Sequence, residues 1–347
     1  MGRTMRRAAR ALAAALALAV AAAPAARAEE ADVAKRLEAL EQAVRDQRYA
    51  FDEVLKKIDD VLWFERVADV AVIDKVYLTG PPNPRAEETY GIANARHPFK
   101  FWCYVFVPRD LGARKAPLLV LPHGGVHADF TTYHTHIVRE LVEQGYVVLA
   151  PEYRGSTGYG RAYEQAIDYG GLEVDDCVAA RDWAVENLPQ VDGARCGILG
   201  WSHGGLIALM AVFRHPEKFR ACYAGVPVSD LVARMGYSTP GYRELFSAQH
   251  HLGKTANQAV DEYRRRSPAW NVEKLRTPLL VHTTTNDRDV HVSEVQHLIA
   301  QLKAAGKTFE HRVYEDFPAA HSLNRIDTKE ARASRREVWA FLARHLK

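Results

Sequence analysis

Gly200-Trp201-Ser202-His203-Gly204-Gly205 stands directly behind the apolar run Cys196-Gly197-Ile198-Leu199 and directly ahead of Leu206-Ile207-Ala208-Leu209-Met210-Ala211-Val212. Read in order, this is a strand, a sharp turn and a helix. A serine at such a turn takes strained backbone angles, and small residues two before and two after it let strand and helix approach closely. Its hydroxyl then stands at the carboxyl edge of a sheet, with the following N–H groups and the helix N-terminus aimed at the same place. The pattern is that of a G-x-S-x-G nucleophile elbow.

Downstream, an acid and then a histidine follow strand-like runs. Asp287 lies where the apolar, β-branched run Leu279-Leu280-Val281 passes through Thr283-Thr284-Thr285 into a polar turn, and His321 lies in Phe317-Pro318-Ala319-Ala320-His321-Ser322, past His311-Arg312-Val313-Tyr314. A doubly wound sheet gathers such loops at one edge. The three residue types suit acyl transfer. A serine hydroxyl is a weak nucleophile at neutral pH, so a neutral imidazole must take its proton, and a carboxylate holds that ring in the right tautomer. Asp289 is the rival acid. Asp287 is preferred because it comes first after the strand, and Asp289 reads as a surface charge.

A developing oxyanion needs donors. Pro117-Leu118-Leu119-Val120-Leu121-Pro122 opens into His123-Gly124-Gly125, where glycines let backbone N–H groups of Gly124 and Gly125 reach the substrate oxygen beside the N–H of His203.

Several ordered stretches resemble the catalytic domain of the prolyl oligopeptidase family of α/β-hydrolases: His123-Gly124-Gly125, Tyr153-Arg154-Gly155-Ser156-Thr157-Gly158-Tyr159-Gly160, Leu172-Glu173-Val174-Asp175-Asp176, Gly200 to Gly205, Ser267-Pro268, Asn286-Asp287 and His321. The resemblance runs from about Phe99 to the C-terminus. It implies a mostly parallel eight-stranded sheet flanked by helices, with Ser202, Asp287 and His321 at the family's triad positions and Asp287 as the acid. There are departures. No repeat of propeller length precedes Phe99. His123 stands where some members place an oxyanion-binding tyrosine, so a backbone N–H, that of Gly125 above all, is expected to serve there. Thr284-Thr285 replaces a small-residue pair, and Ala320 replaces the usual glycine.

Composition sets the bounds. With 347 residues, 48% hydrophobic and 26% charged, the chain can bury a large core. A net charge of +3, partly in the leader, implies no nucleic-acid partner. Arg3, Arg6, Arg7 and Arg10 precede the apolar run Ala11 to Ala23, and Ala26-Arg27-Ala28 has the small-x-small form of a cleavage site, so residues 1–28 read as a signal peptide and the chain as periplasmic or secreted, without stable membrane insertion after cleavage. Cys103, Cys177, Cys196 and Cys222 each fall in an expected strand or helix and read as free core thiols. No metal-ligand spacing and no dinucleotide or phosphate-loop motif occurs, so neither metal nor cofactor is expected.

Residues 29–62 read as an amphipathic helix, with Val33, Leu37, Leu40, Val44, Phe51, Leu55, Ile58 and Leu62 on one stripe. Its plain role is to pack on the hydrolase core; its sharper role is homodimerisation or gating. Residues 63–347 read as the hydrolase domain. Within it, Arg234 to Arg266 is too long for a plain crossover and reads as a cap, with Tyr237 and Tyr242 as candidate substrate-binding walls. Three functions fit these residues: a secreted serine peptidase acting on short peptides, a carboxylesterase with the same acyl-enzyme chemistry, and a hydrolase-like binding protein without activity.

Overall fold

The computed structural model describes residues 2–82, 98–125 and 127–347. The chain break expected at Gly80-Pro81-Pro82-Asn83-Pro84 lies partly outside them, as do the side chains of the leader apart from that of Arg7. Two compact units are present, Met1–Phe51 and Asp52–Lys347. Helix α1 (Gly2–Val67) makes up the first unit, and its last turns belong to the second.

The second unit holds an eight-stranded sheet: β1 (Ala71–Thr79), β2 (Lys100–Pro108), β3 (Ala116–Val120), β4 (Val147–Glu152), β5 (Val191–Trp201), β6 (Ala221–Gly225), β7 (Leu279–Thr284) and β8 (Glu310–Tyr314). Its order is β1-β2-β4-β3-β5-β6-β7-β8. Pairings β1·β2 and β2·β4 are antiparallel and all others parallel, so the sheet is mixed but mostly parallel. Strands β3, β4, β6 and β7 are buried at every position. That is why they read as unbroken apolar runs and not as alternation: helices cover both faces of a parallel sheet.

The remaining helices are α2 (Thr135–Glu143), α3 (Arg161–Glu164), α4 (Leu172–Asn187), α5 (His203–Arg214), α6 (Leu231–Tyr237), α7 (Pro240–Ser247), α8 (Val260–Arg265), α9 (Val292–Ala304) and α10 (Lys329–Leu346). Leu118 and Val120 point into one core with Val174, Leu206 and Leu298 of α4, α5 and α9. Leu119 and Leu121 point into the other with Ile137, Leu342 and Trp63 of α2, α10 and α1. The two-residue alternation of β3 thus divides one sheet between two helical layers. All four cysteines are buried and unpaired.

Within the second unit, the part of the expected apolar stripe at Leu55 and Ile58 does not pack on the core. Leu55 and Ile58 are 51% and 52% exposed, while Trp63 and Val67 of the same helix are fully buried. Trp63 stacks on Phe130 at 5.2 Å and meets Phe106 edge-on at 5.1 Å. The docking face is therefore a quarter-turn or more away from the stripe. Polar contacts join these apolar ones: Lys75 Nζ donates to Asp60, and Thr132 donates from its N–H and its hydroxyl to Asp59. Hydrophobic periodicity is blind to such a face.

Candidate active site

Ser202 occupies the turn between β5 and α5 with φ 57° and ψ −123°, a conformation costly for any residue with a side chain. The surroundings hold it there. Its N–H donates to Gly225 O of β6 at 2.9 Å, and its carbonyl accepts from Leu206 at 3.1 Å and Val228 at 3.2 Å. A Cβ on Gly200 would lie 2.4 Å from the Gly204 carbonyl, and one on Gly204 would lie 2.3 Å from Pro122 O. Both glycines are thus required by close approach of backbone to backbone.

The loop after β3 closes on this turn. A Cβ on Gly124 would stand 3.4 Å from Ser202 Cβ, and Gly125 takes φ 79°. His203 is clamped through its ring, with Nδ1 2.9 Å from Gly125 O, Nε2 3.3 Å from Glu173 Oε1, and its face stacked on Tyr169 at 4.0 Å. Burial pushes the Glu173 carboxyl up, but the hydrogen bond to His203 and that ring's charge outweigh it and hold the group below its ordinary value. His123 is buried, with Nε2 2.9 Å from Ser156 Oγ and Nδ1 2.9 Å from Gly124 O. Both ring nitrogens of His123 are thus engaged by the protein.

Beneath that loop lies a buried ion network. Lys56 of α1 pairs with Glu152 at the end of β4, with Asp129 at 3.0 Å, and donates to Phe130 O at 2.7 Å. Burial opposes ionisation of Glu152, yet the Lys56 charge and the His123 contact hold its pKa down to about 2. Beside it, Arg154 and Asp176, both fully buried, pair at 2.7 Å and anchor the loop from Arg154 to Gly160.

Asp287 and His321 are brought together. His321 Nδ1 lies 2.7 Å from Asp287 Oδ2, while Asp287 Oδ1 accepts from the N–H groups of Asp289 at 2.8 Å and Val290 at 3.0 Å. Asp287 is buried and His321 about one-quarter exposed. The residues before the acid do further work. Thr284 Oγ1 donates to Ala320 O, Thr285 N–H to Tyr314 O, and Asn286 Nδ2 to Phe317 O, so the acid loop and the histidine loop are laced together. Ala320, where the resemblance leads one to expect glycine, adopts φ 46°. It bears the left-handed conformation that glycine would take without strain.

Asp289 is more than a surface charge. Its Oδ1 accepts from Arg234 at 2.9 Å, and its Oδ2 lies 3.6 Å from His321 Nε2. Arg234 is buried in α6 and also donates to Asp289 O at 3.0 Å, Tyr237 Oη at 3.0 Å and Tyr242 Oη at 2.9 Å. The two tyrosines read as substrate walls are thus knotted through one guanidinium to the acid loop. Tyr237 also donates to the buried Glu294. A cavity of about 930 Å³ opens between α6, α7 and α8, lined by Val232, Met235, Pro240, Arg243 and Tyr263 among others, and neither Tyr237 nor Tyr242 lines it.

Sequence reading missed Arg234, Lys56, Glu152 and the ring of His203. Glu173 and Arg154 lay inside quoted motifs, and a charged residue within an otherwise apolar run, as in Leu149-Ala150-Pro151-Glu152, was the available signal.

A mostly parallel sheet with a strained serine after β5, an acid loop after β7 and a histidine loop after β8 is that of an α/β-hydrolase. The prolyl oligopeptidase family matches residues 132–347, and the chain belongs to it. It is 29% identical over 226 residues to the uncharacterised peptidase YuxL of Bacillus subtilis (strain 168), covering 65% of this chain and 34% of that one. It is likewise 29% identical over 218 residues to the acylamino-acid-releasing enzyme of Arabidopsis thaliana, covering 61% and 28%. The uncomplexed acylaminoacyl peptidase of Pyrococcus horikoshii shares the fold, with a TM-score of 0.67 at 19% identity over 80% of this chain and 42% of that one. The chain spans about a third of the length of the curated relatives it matches.

Proposed function

We propose that this serine-peptidase-family hydrolase cleaves short or N-acylated peptides through an acyl-enzyme on Ser202. The hydrogen bond between His321 Nδ1 and Asp287 Oδ2 carries the reading. A proton held on Nδ1 leaves the lone pair on Nε2, the state in which imidazole takes a proton from a serine hydroxyl. Ser202 Oγ then attacks the carbonyl, the N–H groups of His203 and Gly125 meet the oxyanion, and the imidazolium returns its proton to the leaving amine. Water repeats the sequence on the ester, and Ser202 is released.

Esterase and peptidase readings use the same residues and differ in leaving group. Turnover of acetyl-alanyl and short prolyl p-nitroanilides against p-nitrophenyl butyrate separates them. The peptidase reading expects kcat/KM on an anilide within about a hundredfold of the ester, and hydrolysis of the ester alone defeats it. Export is proposed on the leader's basic, apolar and small-residue order. N-terminal sequencing of protein from the fractionated native host should begin near Glu29, and Met1 intact in the cytosol contradicts it.

A further inference from the structure

We propose that α1 pairs with α1 of a second copy of this chain in a parallel, in-register, two-stranded coiled coil. The spacing carries the argument. Val33, Leu37, Leu40, Val44, Gln47, Phe51, Val54, Ile58 and Val61 follow one another at alternating steps of four and three, a heptad seam kept over four heptads with one polar layer at Gln47. A straight helix drifts away from such a strict seven-residue repeat, and supercoiling around a partner keeps the seam closed.

The structure leaves this seam uncovered. Within the first unit, Val33, Leu37, Leu40, Val44 and Phe51 are all more than half exposed, as are Val54, Ile58 and Val61 in the second. The residues by which α1 holds the catalytic unit, Lys56, Asp59, Asp60, Trp63 and Val67, all fall at the heptad's outer positions, off the seam. One helix therefore carries two faces, and docking does not consume the seam.

Charge selects the occupant. Arg36 and Glu41 occupy the two flanking positions that meet across a parallel, in-register pair, so Arg36 approaches the partner's Glu41, and the two-fold axis repeats the contact. Among the described residues, Arg36 meets Asp32 at 3.9 Å and Glu41 meets Arg45 at 3.8 Å, exposed contacts worth little. An anionic membrane is the poorer fit. Between Glu29 and Phe51 the helix has six carboxylates against four cations, whereas membrane-surface helices have a basic polar face.

Sedimentation equilibrium of the purified chain tests the proposal. A dimer is expected at low micromolar concentration, and Leu37→Glu with Leu40→Glu should give a monomer whose thermal unfolding and ester hydrolysis are unchanged, since neither residue touches the catalytic machinery. Arg36→Glu or Glu41→Arg alone should raise the dimer Kd by about tenfold, because attraction becomes repulsion at two symmetric contacts. The two single variants mixed should form a heterodimer, and the double variant should regain the original Kd. A monomeric chain at 50 μM (about ten times the working concentration), a dimer that survives Leu37→Glu/Leu40→Glu, or binding to phosphatidylserine vesicles by a monomer overturns the coiled coil. A double variant no tighter than the singles overturns its parallel register.

Discussion

The elbow and the cap sit at the same edge of the sheet and are held by opposite means. At the elbow the backbone does the holding: Gly200 and Gly204 allow contacts that no side chain would permit, and Ser202 is fixed by hydrogen bonds from main chain to main chain. At the cap, side chains do it. One guanidinium, Arg234, joins two tyrosines and the acid loop 55 residues away. Sterics of the first kind leave a local motif in the sequence, and ties of the second kind leave none. The elbow also tolerates no adjustment, whereas a cap built from side chains can change its walls and keep the chemistry.

The largest effects are expected at the chemical groups. Ser202→Ala and Asp287→Asn should each lower kcat on the order of 10⁴-fold with the fold intact by circular dichroism, the second through loss of the imidazole tautomer. Asp289→Asn should cost far less and act mainly on KM, since it releases Arg234 and leaves the Nδ1 partner in place. A steep loss at Asp289 with little at Asp287 would reverse the assignment of the acid.

Next comes the side-chain scaffold under the His123 loop. Lys56→Met leaves Glu152 buried without its cation and should destabilise the protein by about 3–5 kcal/mol, read by urea unfolding. The same pair sets an acid limit. Glu152 titrates near 2 in the folded protein against an ordinary 4.5, so its contribution is complete above about 4.5 and is lost as pH falls from there towards 2. Glu152→Gln should flatten that part of the stability profile, and an unchanged profile would show that other carboxylates govern it.

Smaller effects are expected at the cap. Tyr237→Ala or Tyr242→Ala should shift the ratio of kcat/KM between bulky and small acyl substrates by about 1–3 kcal/mol. A uniform loss across substrates would make both tyrosines structural members of the Arg234 knot. The smallest effect is at Ala320, where replacement by glycine relieves a φ of 46° and adds chain entropy to the unfolded state. The two nearly offset, so Tm should move by no more than the equivalent of about 1 kcal/mol, and a large loss would mean that the Ala320 methyl is itself needed.

The central strands were legible because a sheet covered on both faces needs apolar runs, and β3, β4, β6 and the first half of β7 are such runs, whereas the half-exposed edge strands β1 and β8 carry charged residues among their apolar ones. The pairing of Asp287 with His321 was legible because each follows a strand in the order the fold demands. The Arg234 knot and the Lys56 network were not: Lys56 meets Asp129 across 73 residues, and the one local mark, a charge at Glu152 closing an apolar run, does not name its partner. On α1 the spacing points to an apolar stripe, but periodicity does not say what covers a face. The catalytic unit is gripped instead through Lys56, Asp59, Asp60 and Trp63, three of them charged.

The atom that takes the acyl group decides whether Ser202 is the nucleophile. Brief reaction of the purified protein with a fluorophosphonate, followed by proteolysis and mass mapping, should place one adduct on Ser202, blocked by His321→Ala and by Ser202→Ala. An adduct at any other residue, or labelling that persists in Ser202→Ala, would contradict it.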